Sequence, residues 1–90
     1  MFKLKTSSGS NNITGGRLKE IRQQKGISQR KLAKMMQLAG FDVDHHFVIR
    51  IENGERFVTD IELVALSRVL SVQIHDLIDE TIPIADYEAD

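Results

Sequence analysis

The sequence has no cysteine and only one proline, and its hydrophobic runs are short. The lack of cysteine excludes disulfides and thiolate zinc sites, so the burial of apolar side chains has to stabilise the fold. No run approaches the roughly 18 apolar residues of a membrane span, and no apolar segment follows the basic N-terminus as in a secretory signal. We therefore expect a cytoplasmic protein with no membrane partner.

A length of 90 residues, 41% of them apolar and 28% charged, is that of one small domain. This length is too short for most enzyme folds. The sequence also has neither a glycine-rich phosphate loop nor a nucleophile in a recognisable catalytic context. We therefore expect a protein without enzymatic activity and without a cofactor.

The net charge of -1 conceals an uneven distribution along the chain. Residues 1–35 carry nine basic side chains and one acidic side chain, whereas residues 36–90 carry three basic and twelve acidic side chains. Such asymmetry points to the binding of a polyanion by one part of the molecule. Two faces that merely differ in their solvated charge would give the same pattern.

The composition divides the chain into three parts. Residues 6–16 are small, polar and glycine-rich, which predicts that residues 1–15 are a flexible segment. Residues 16–79 form the predicted folded domain. Residues 80–90 form an acidic tail, because Pro83 and the carboxylates after it lack helical periodicity.

The folded part is predicted to be all-α and to contain five short helices. The first covers about residues 16–25. The second begins after Ser28 as N-cap and ends near residue 39, where a glycine follows as the left-handed stop. The third begins after Asp44 as N-cap and stops at Gly54.

The fourth helix is predicted from a capping box, in which Thr59 and Glu62 satisfy each other's backbone amides. The fifth covers about residues 73–79. Weak alternation in residues 2–5 and 82–84 does not predict a stable sheet. The apolar positions predicted to face the core are Leu18, Ile21, Leu32, Ala33, Met36, Val48, Ile51, Leu63, Leu66, Leu70, Ile74, Leu77 and Ile78.

Four segments in sequence order resemble the helix-turn-helix domain of phage repressors, Cro proteins and related bacterial regulators, the lambda-repressor-like or XRE family. The segments are Arg17–Gln29, Lys31–Ala33, Ile51–Arg56 and Thr59–Leu70. The resemblance implies a five-helix bundle in which the second and third helices form the helix-turn-helix. It also implies a transcription regulator, typically a repressor, that binds double-stranded DNA as a homodimer. The operator and any small-molecule effector stay open.

The resemblance further implies which residues contact the DNA backbone. It matches Arg22 and Glu52 to an ion pair between the first helix and the end of the third. The N-terminus of the second helix presents free amides to a phosphate, and the side chain of Gln29 adds a hydrogen bond. Asn53, with the amides after Gly54, matches a phosphate clamp. The predicted phosphate contacts are Lys19, Arg22, Ser28, Gln29, Arg30, Asn53 and Arg56.

The third helix is predicted to be the recognition helix, which enters the major groove with its first turns. The predicted base-reading residues are His45, His46, Phe47, Ile49 and Arg50. Histidine can donate to guanine, and an apolar side chain can contact the methyl group of thymine. The family usually carries small polar or amide side chains here, so the histidines favour modest specificity or readout of DNA shape.

The link between the second and third helices, residues 37–44, is about five residues longer than the usual turn. We expect Leu38, Phe41 and Val43 to pack this link against the core. The added length leaves open the angle at which the recognition helix meets the groove.

A metal site and a protein-binding surface are the alternatives. Asp42, Asp44, His45 and His46 could be read as ligands, but adjacent helical residues do not face each other, so we expect no metal. The second functional hypothesis is a protein-interaction module, such as an antitoxin-like or regulatory partner, that uses the last helices and the tail. Its apolar residues are Ile61, Val64, Val69, Ile78, Ile82, Ile84 and Tyr87.

Overall fold

The computed structural model describes residues 4–84. These residues form four α-helices, α1 (Gly15–Gln24), α2 (Gln29–Leu38), α3 (His45–Glu52) and α4 (Asp60–Leu70), followed by a 3-10 turn (Ile74–Leu77). The predicted fifth helix is wrong, because the chain is already extended at Ile78 and only this single turn forms. Within the described range no helix is long and apolar enough to cross a membrane. Residues 85–90 of the predicted tail, including Tyr87, lie outside the described residues.

The predicted caps fix where three of the helices begin. The hydroxyl of Ser28 accepts a hydrogen bond from the third amide after it at 3.0 Å. The carboxylate of Asp44 accepts from two amides in the first turn of α3, at 3.0 and 3.3 Å. Thr59 and Glu62 form the predicted capping box at the start of α4. The helix boundaries that the sequence predicted are therefore set by local side-chain hydrogen bonds.

Twelve apolar side chains from all four helices and the 3-10 turn form one core. They are Leu18, Ile21, Leu32, Ala33, Met36, Phe47, Val48, Ile51, Ala65, Leu66, Leu70 and Leu77. Three predictions of core positions need correction. Leu63 packs at the edge of the core rather than within it. Ile74 is 42% exposed and Ile78 is half-buried outside the core, because the 3-10 turn presents only Leu77 to the core.

The long link between α2 and α3 packs against the core through Phe41 and Val43, as predicted. The prediction for Leu38 is wrong, because 79% of this residue is exposed. Leu38 follows Met36 by two positions, and residues two apart lie on different faces of an α-helix. The buried position of Met36 therefore directs Leu38 to solvent.

Residues 6–13 bond to the end of α3 and the segment after it, and to residues 79–84. Thr6 is buried and pairs with Ile84 in an isolated antiparallel bridge. The amide of Ser7 donates to the carbonyl of Pro83 at 2.9 Å, and the amide of Asp79 donates to Ile13 at 3.1 Å. This segment buries little apolar surface. Hydrogen bonds, rather than a hydrophobic stripe, hold it against the rest of the chain.

Candidate nucleic-acid interface

A buried ion pair joins α1 to the end of α3. The Nε and Nη2 atoms of Arg22 donate to the two carboxylate oxygens of Glu52 at 2.7 and 2.9 Å. Their side chains are only 11% and 3% exposed, respectively. The Nη1 atom of Arg22 also donates to the carbonyl of Ile27 at 2.9 Å. The structure thus contains the ion pair that the family resemblance implied.

This pairing argues against a phosphate contact for Arg22. Its hydrogen bonds to Glu52 raise its pKa above the ordinary value despite the opposing effect of desolvation. The guanidinium is therefore a permanent positive charge that is satisfied inside the protein. A phosphate could reach it only by displacing Glu52 from a buried bidentate contact.

Gln29, the first residue of α2, bonds to Glu52, the last residue of α3. Its Nε2 atom donates to Glu52 Oε1 at 3.1 Å, the same oxygen that accepts from Arg22 Nη2. One carboxylate therefore connects α1, α2 and α3. This network fixes the angle between the two helices of the helix-turn-helix, and it orients the half-buried side chain of Gln29 at the N-terminus of α2.

The outer face of α3 carries most of the predicted base-reading residues. His46 and Arg50 are exposed, and His45 and Ile49 are half-buried. Phe47 is an exception, because it is 6% exposed and belongs to the core. Phe47 shares the inward face with Ile51, four residues later, which argues against a contact between Phe47 and a base.

The first turn of α3 places a carboxylate beside two imidazoles. The Oδ2 atom of Asp44 lies 3.6 Å from His46 Nδ1, and the rings of His45 and His46 have centroids 4.3 Å apart. Slight desolvation opposes the charged form of Asp44, but hydrogen bonds from Phe47 and His46 lower its pKa below the ordinary value. The tip of the helix therefore presents a negative charge together with two possible hydrogen-bond donors.

The segment after α3 differs from the phosphate clamp that the resemblance implied. Gly54 adopts a left-handed φ of +75° and ends the helix. The amides of Glu55 and Arg56 both donate to the carbonyl of Arg50, at 3.0 and 3.3 Å. These amides are therefore used by the helix stop, and the exposed side chain of Asn53 is the part of the predicted clamp that still faces solvent.

Arg56 is held within the protein rather than extended into solvent. Its Nη2 and Nη1 atoms lie 2.6 and 3.1 Å from the carboxylate oxygens of Glu62. Its guanidinium carbon lies 4.8 Å from the centroid of the Phe47 ring. Because Glu62 also accepts from the amide of Thr59 at 2.9 Å, the pair braces the segment between α3 and α4. This geometry argues against a primary role for Arg56 in phosphate binding.

The remaining predicted phosphate contacts lie on an exposed basic surface of α1 and α2. The exposed basic side chains there are Lys19, Arg30, Lys31 and Lys34. Glu20, the acidic residue of α1, forms an exposed pair with Arg17 at 3.0 Å, and α2 has no acidic residue. This charge supplies the attraction to a polyanion that the N-terminal half of the sequence predicted.

Sequence reasoning missed two asparagines in the segment that precedes α1. The side chain of Asn12 donates to the carbonyls of Ile51 and Arg56, and that of Asn11 donates to Glu55. Asparagine two or three residues before a helix is a capping signal, which could have marked Asn12. Its second role, at the end of α3, depends on tertiary contacts that no local pattern shows.

A family model described as helix-turn-helix matches residues 18–77. Among curated protein sequences, no significant match is found. Among solved structures, the restriction-modification controller protein C.AhdI from Aeromonas hydrophila is similar over 72% of this chain and 87% of its own, with 31% sequence identity and a TM-score of 0.63.

Two further solved structures share the fold at lower identity. The clp gene regulator ClgR from C. glutamicum aligns over 73% of this chain and 79% of its own, with 23% identity and a TM-score of 0.63. The DNA-binding domain of BldD aligns over 82% of this chain and 99% of its own, with 24% identity and a TM-score of 0.66. The matched segment of the family model includes α2, α3 and the long link between them.

Proposed function

The chain belongs to the helix-turn-helix family and is a DNA-binding transcription regulator, and we propose that it reads an operator through the outer face of α3. The observation that carries this proposal is the network around Glu52. It holds α3 against α1 and α2, and His46, Arg50 and Asn53 lie exposed at helical spacing on the outer face. A rigid helix with one exposed polar face fits the major groove.

In this proposal the DNA backbone binds beside the N-terminus of α2. The free amides there and the positive end of the helix dipole attract a phosphate. Ser28 and Gln29 lie at this end, and the exposed Lys19 and Arg30 add positive charge. Asn53 supplies a contact at the far end of α3. Arg22 and Arg56 are left out of the proposed contacts because both are paired within the protein.

The proposal is tested by selecting duplexes from a random DNA pool at fixed salt and then titrating the affinity against salt concentration. We expect an enriched sequence, and we expect log K to fall linearly with log salt by about 0.9 per neutralised phosphate. Failure of the 90-residue chain to retain any duplex at low salt, or an affinity that does not change with salt, would contradict DNA binding by this surface.

Arg50→Ala is expected to lower the affinity for the selected duplex by about 1–3 kcal/mol, or roughly 5- to 150-fold. Arg50 is exposed on α3, where a guanidinium can contact a guanine edge. The matched control is Arg68→Ala, which removes the same charge from an exposed position on α4. Anisotropy with a labelled duplex gives both affinities. Equal losses for the two variants would show that Arg50 contributes only net charge.

We also propose a homodimer that pairs through α4, with repression by operator occupancy as its regulatory outcome. On α4, Ile61 is 75% exposed and Val64 is half-buried. A two-fold arrangement would place two α3 helices about 34 Å apart, one turn of DNA. A reporter gene under the selected operator tests the outcome, since repression lowers its expression and activation raises it.

Ile61→Ser is expected to weaken dimerisation at least tenfold, because an isoleucine buried at an interface contributes about 1.5–3 kcal/mol. Leu38→Ser is the matched control, since Leu38 is 79% exposed but lies on α2. Sedimentation equilibrium gives both dissociation constants. A monomeric wild-type chain at micromolar concentration, or an equal effect of both substitutions, would refute the α4 interface.

A further inference from the structure

We propose that Asn12 is a positioning residue for the recognition helix. In this proposal it holds the C-terminal end of α3 and the segment that follows against the N-terminus of α1. The inference rests on the proposed operator recognition by α3, and it adds a residue outside the helix-turn-helix to that function. Asn12 itself touches no DNA in this arrangement.

The side chain of Asn12 makes four hydrogen bonds that join three parts of the chain. Its Nδ2 atom donates to the carbonyl of Ile51 at 3.1 Å and to the carbonyl of Arg56 at 2.8 Å. Its Oδ1 atom accepts from the amides of Thr14 and Gly15 at 3.0 and 2.8 Å. One amide group therefore satisfies backbone groups at the end of α3, after it, and at the start of α1.

The neighbouring Asn11 extends the same contact. Its amide donates to the carbonyl of Gly54 at 2.7 Å, and its Nδ2 atom donates to the carbonyl of Glu55 at 2.9 Å. The last carbonyls of a helix have no partners within the helix itself. Here two consecutive asparagines, about forty positions away in the sequence, supply donors to the end of α3 and to the turn that leaves it.

These contacts act on the end of α3 and on the turn that follows it, from the side of α1. The Glu52 network fixes α3 from the side of α1 and α2. The turn at Gly54 carries Asn53, a proposed phosphate contact, and its direction depends on where the carbonyls of Ile51 and Arg56 are held. A change in that direction alters how α3 and Asn53 fit one duplex together, so it affects operator recognition more than general attraction to DNA.

The decisive variant is Asn12→Asp, because it separates the two roles of the side chain. The aspartate can still accept from the amides of Thr14 and Gly15, but it cannot donate to Ile51 and Arg56. We expect its affinity for the selected operator to fall about tenfold, as one poorly read base pair would cause. Its affinity for an unrelated duplex should fall less than twofold, so the ratio of the two affinities falls.

Three further variants control for charge and stability. Ser8→Asp adds the same charge at an exposed position of the same segment, where the hydroxyl is hydrogen-bonded to Thr6 rather than to α3. Val72→Ala destabilises the core edge from the connection after α4. Asn11→Ala removes only the bond to Glu55, and is expected to fold even if a change at Asn12 is not tolerated. We expect Asn11→Ala to lower the operator affinity about threefold, and the other two to keep the ratio.

The outcomes separate this inference from the proposed function. Affinities are measured by anisotropy at a temperature where circular dichroism shows full helix content. A reduced ratio for Asn12→Asp and Asn11→Ala, but not for Ser8→Asp and Val72→Ala, supports the inference. An unchanged ratio in both asparagine variants, with wild type selecting an operator, overturns the inference alone. A wild-type chain that selects no operator overturns both.

Discussion

Glu52→Ala is expected to lower the free energy of unfolding by about 3–5 kcal/mol, the cost of breaking a buried ion pair from one side. The substitution leaves the guanidinium of Arg22, whose side chain is 11% exposed, with only the carbonyl of Ile27 as partner. Gln29 loses its bond to the same carboxylate. Since a small domain has a stability of about 5–15 kcal/mol, part of the population could unfold at 25 °C. Urea unfolding followed by circular dichroism measures the loss.

The control is an ion pair of the same type on the surface. Arg17 and Glu20 lie 3.0 Å apart, and their side chains are 38% and 58% exposed. Glu20→Ala is therefore expected to cost no more than about 1 kcal/mol. If Glu52→Ala costs as little as Glu20→Ala, the carboxylate of Glu52 is not the connection between the first three helices that its geometry indicates.

A double substitution distinguishes the cost of an unpaired charge from the loss of a useful contact. Arg22→Met with Glu52→Leu removes both charges and keeps apolar volume at the same place. It is expected to recover most of the stability lost in Glu52→Ala, because buried pairs are often replaceable by packed apolar side chains. DNA binding by this variant shows whether the angle of α3 depends on the ion pair or on packing alone.

The starts of α2, α3 and α4 were predictable because their signals are local. Ser28, Asp44 and Thr59 bond to amides within three residues of themselves, so a short window contains all that the helix start requires. The pairing of Arg22 with Glu52, thirty positions apart, came instead from the family resemblance.

The site predictions that the geometry argues against share a physical cause, because each concerns a side chain that can pack inside the protein or face the DNA. Phe47 and Arg56 were assigned to DNA by their position along the chain, but each is satisfied inside the protein, partly by the other. An aromatic side chain at the edge of a helical stripe can face the core or the groove, and only the packing of the neighbouring helices decides between them. The same applies to Asn12, whose partners are distant in sequence.

Gly15→Ala is the second substitution with a large expected effect, a loss of about 1–3 kcal/mol in the free energy of unfolding. Gly15 is buried where the start of α1 crosses the end of α3. A Cβ atom at this position would clash with the carbonyl oxygen of Ile51 and would lie 3.1 Å from the Cα and carbonyl oxygen of Glu52. These are backbone atoms, so no side-chain rotation relieves the clash and α1 has to move away from α3.

Gly16→Ala provides the opposite expectation one position later in the same helix. A Cβ atom at Gly16 would have no neighbour within 4 Å, so the alanine is expected to stabilise the protein by about 0.4–1 kcal/mol through helix propensity. Helix propensity favours alanine over glycine at both sites, whereas the steric clash is present only at Gly15. Comparing the thermal unfolding of the two variants therefore separates the effect of the clash from the effect of propensity. If both alanines stabilise the protein, α1 and α3 do not approach as closely as the structure shows. If Gly15→Ala alone destabilises, the close crossing holds α3 at the end that Asn12 also contacts.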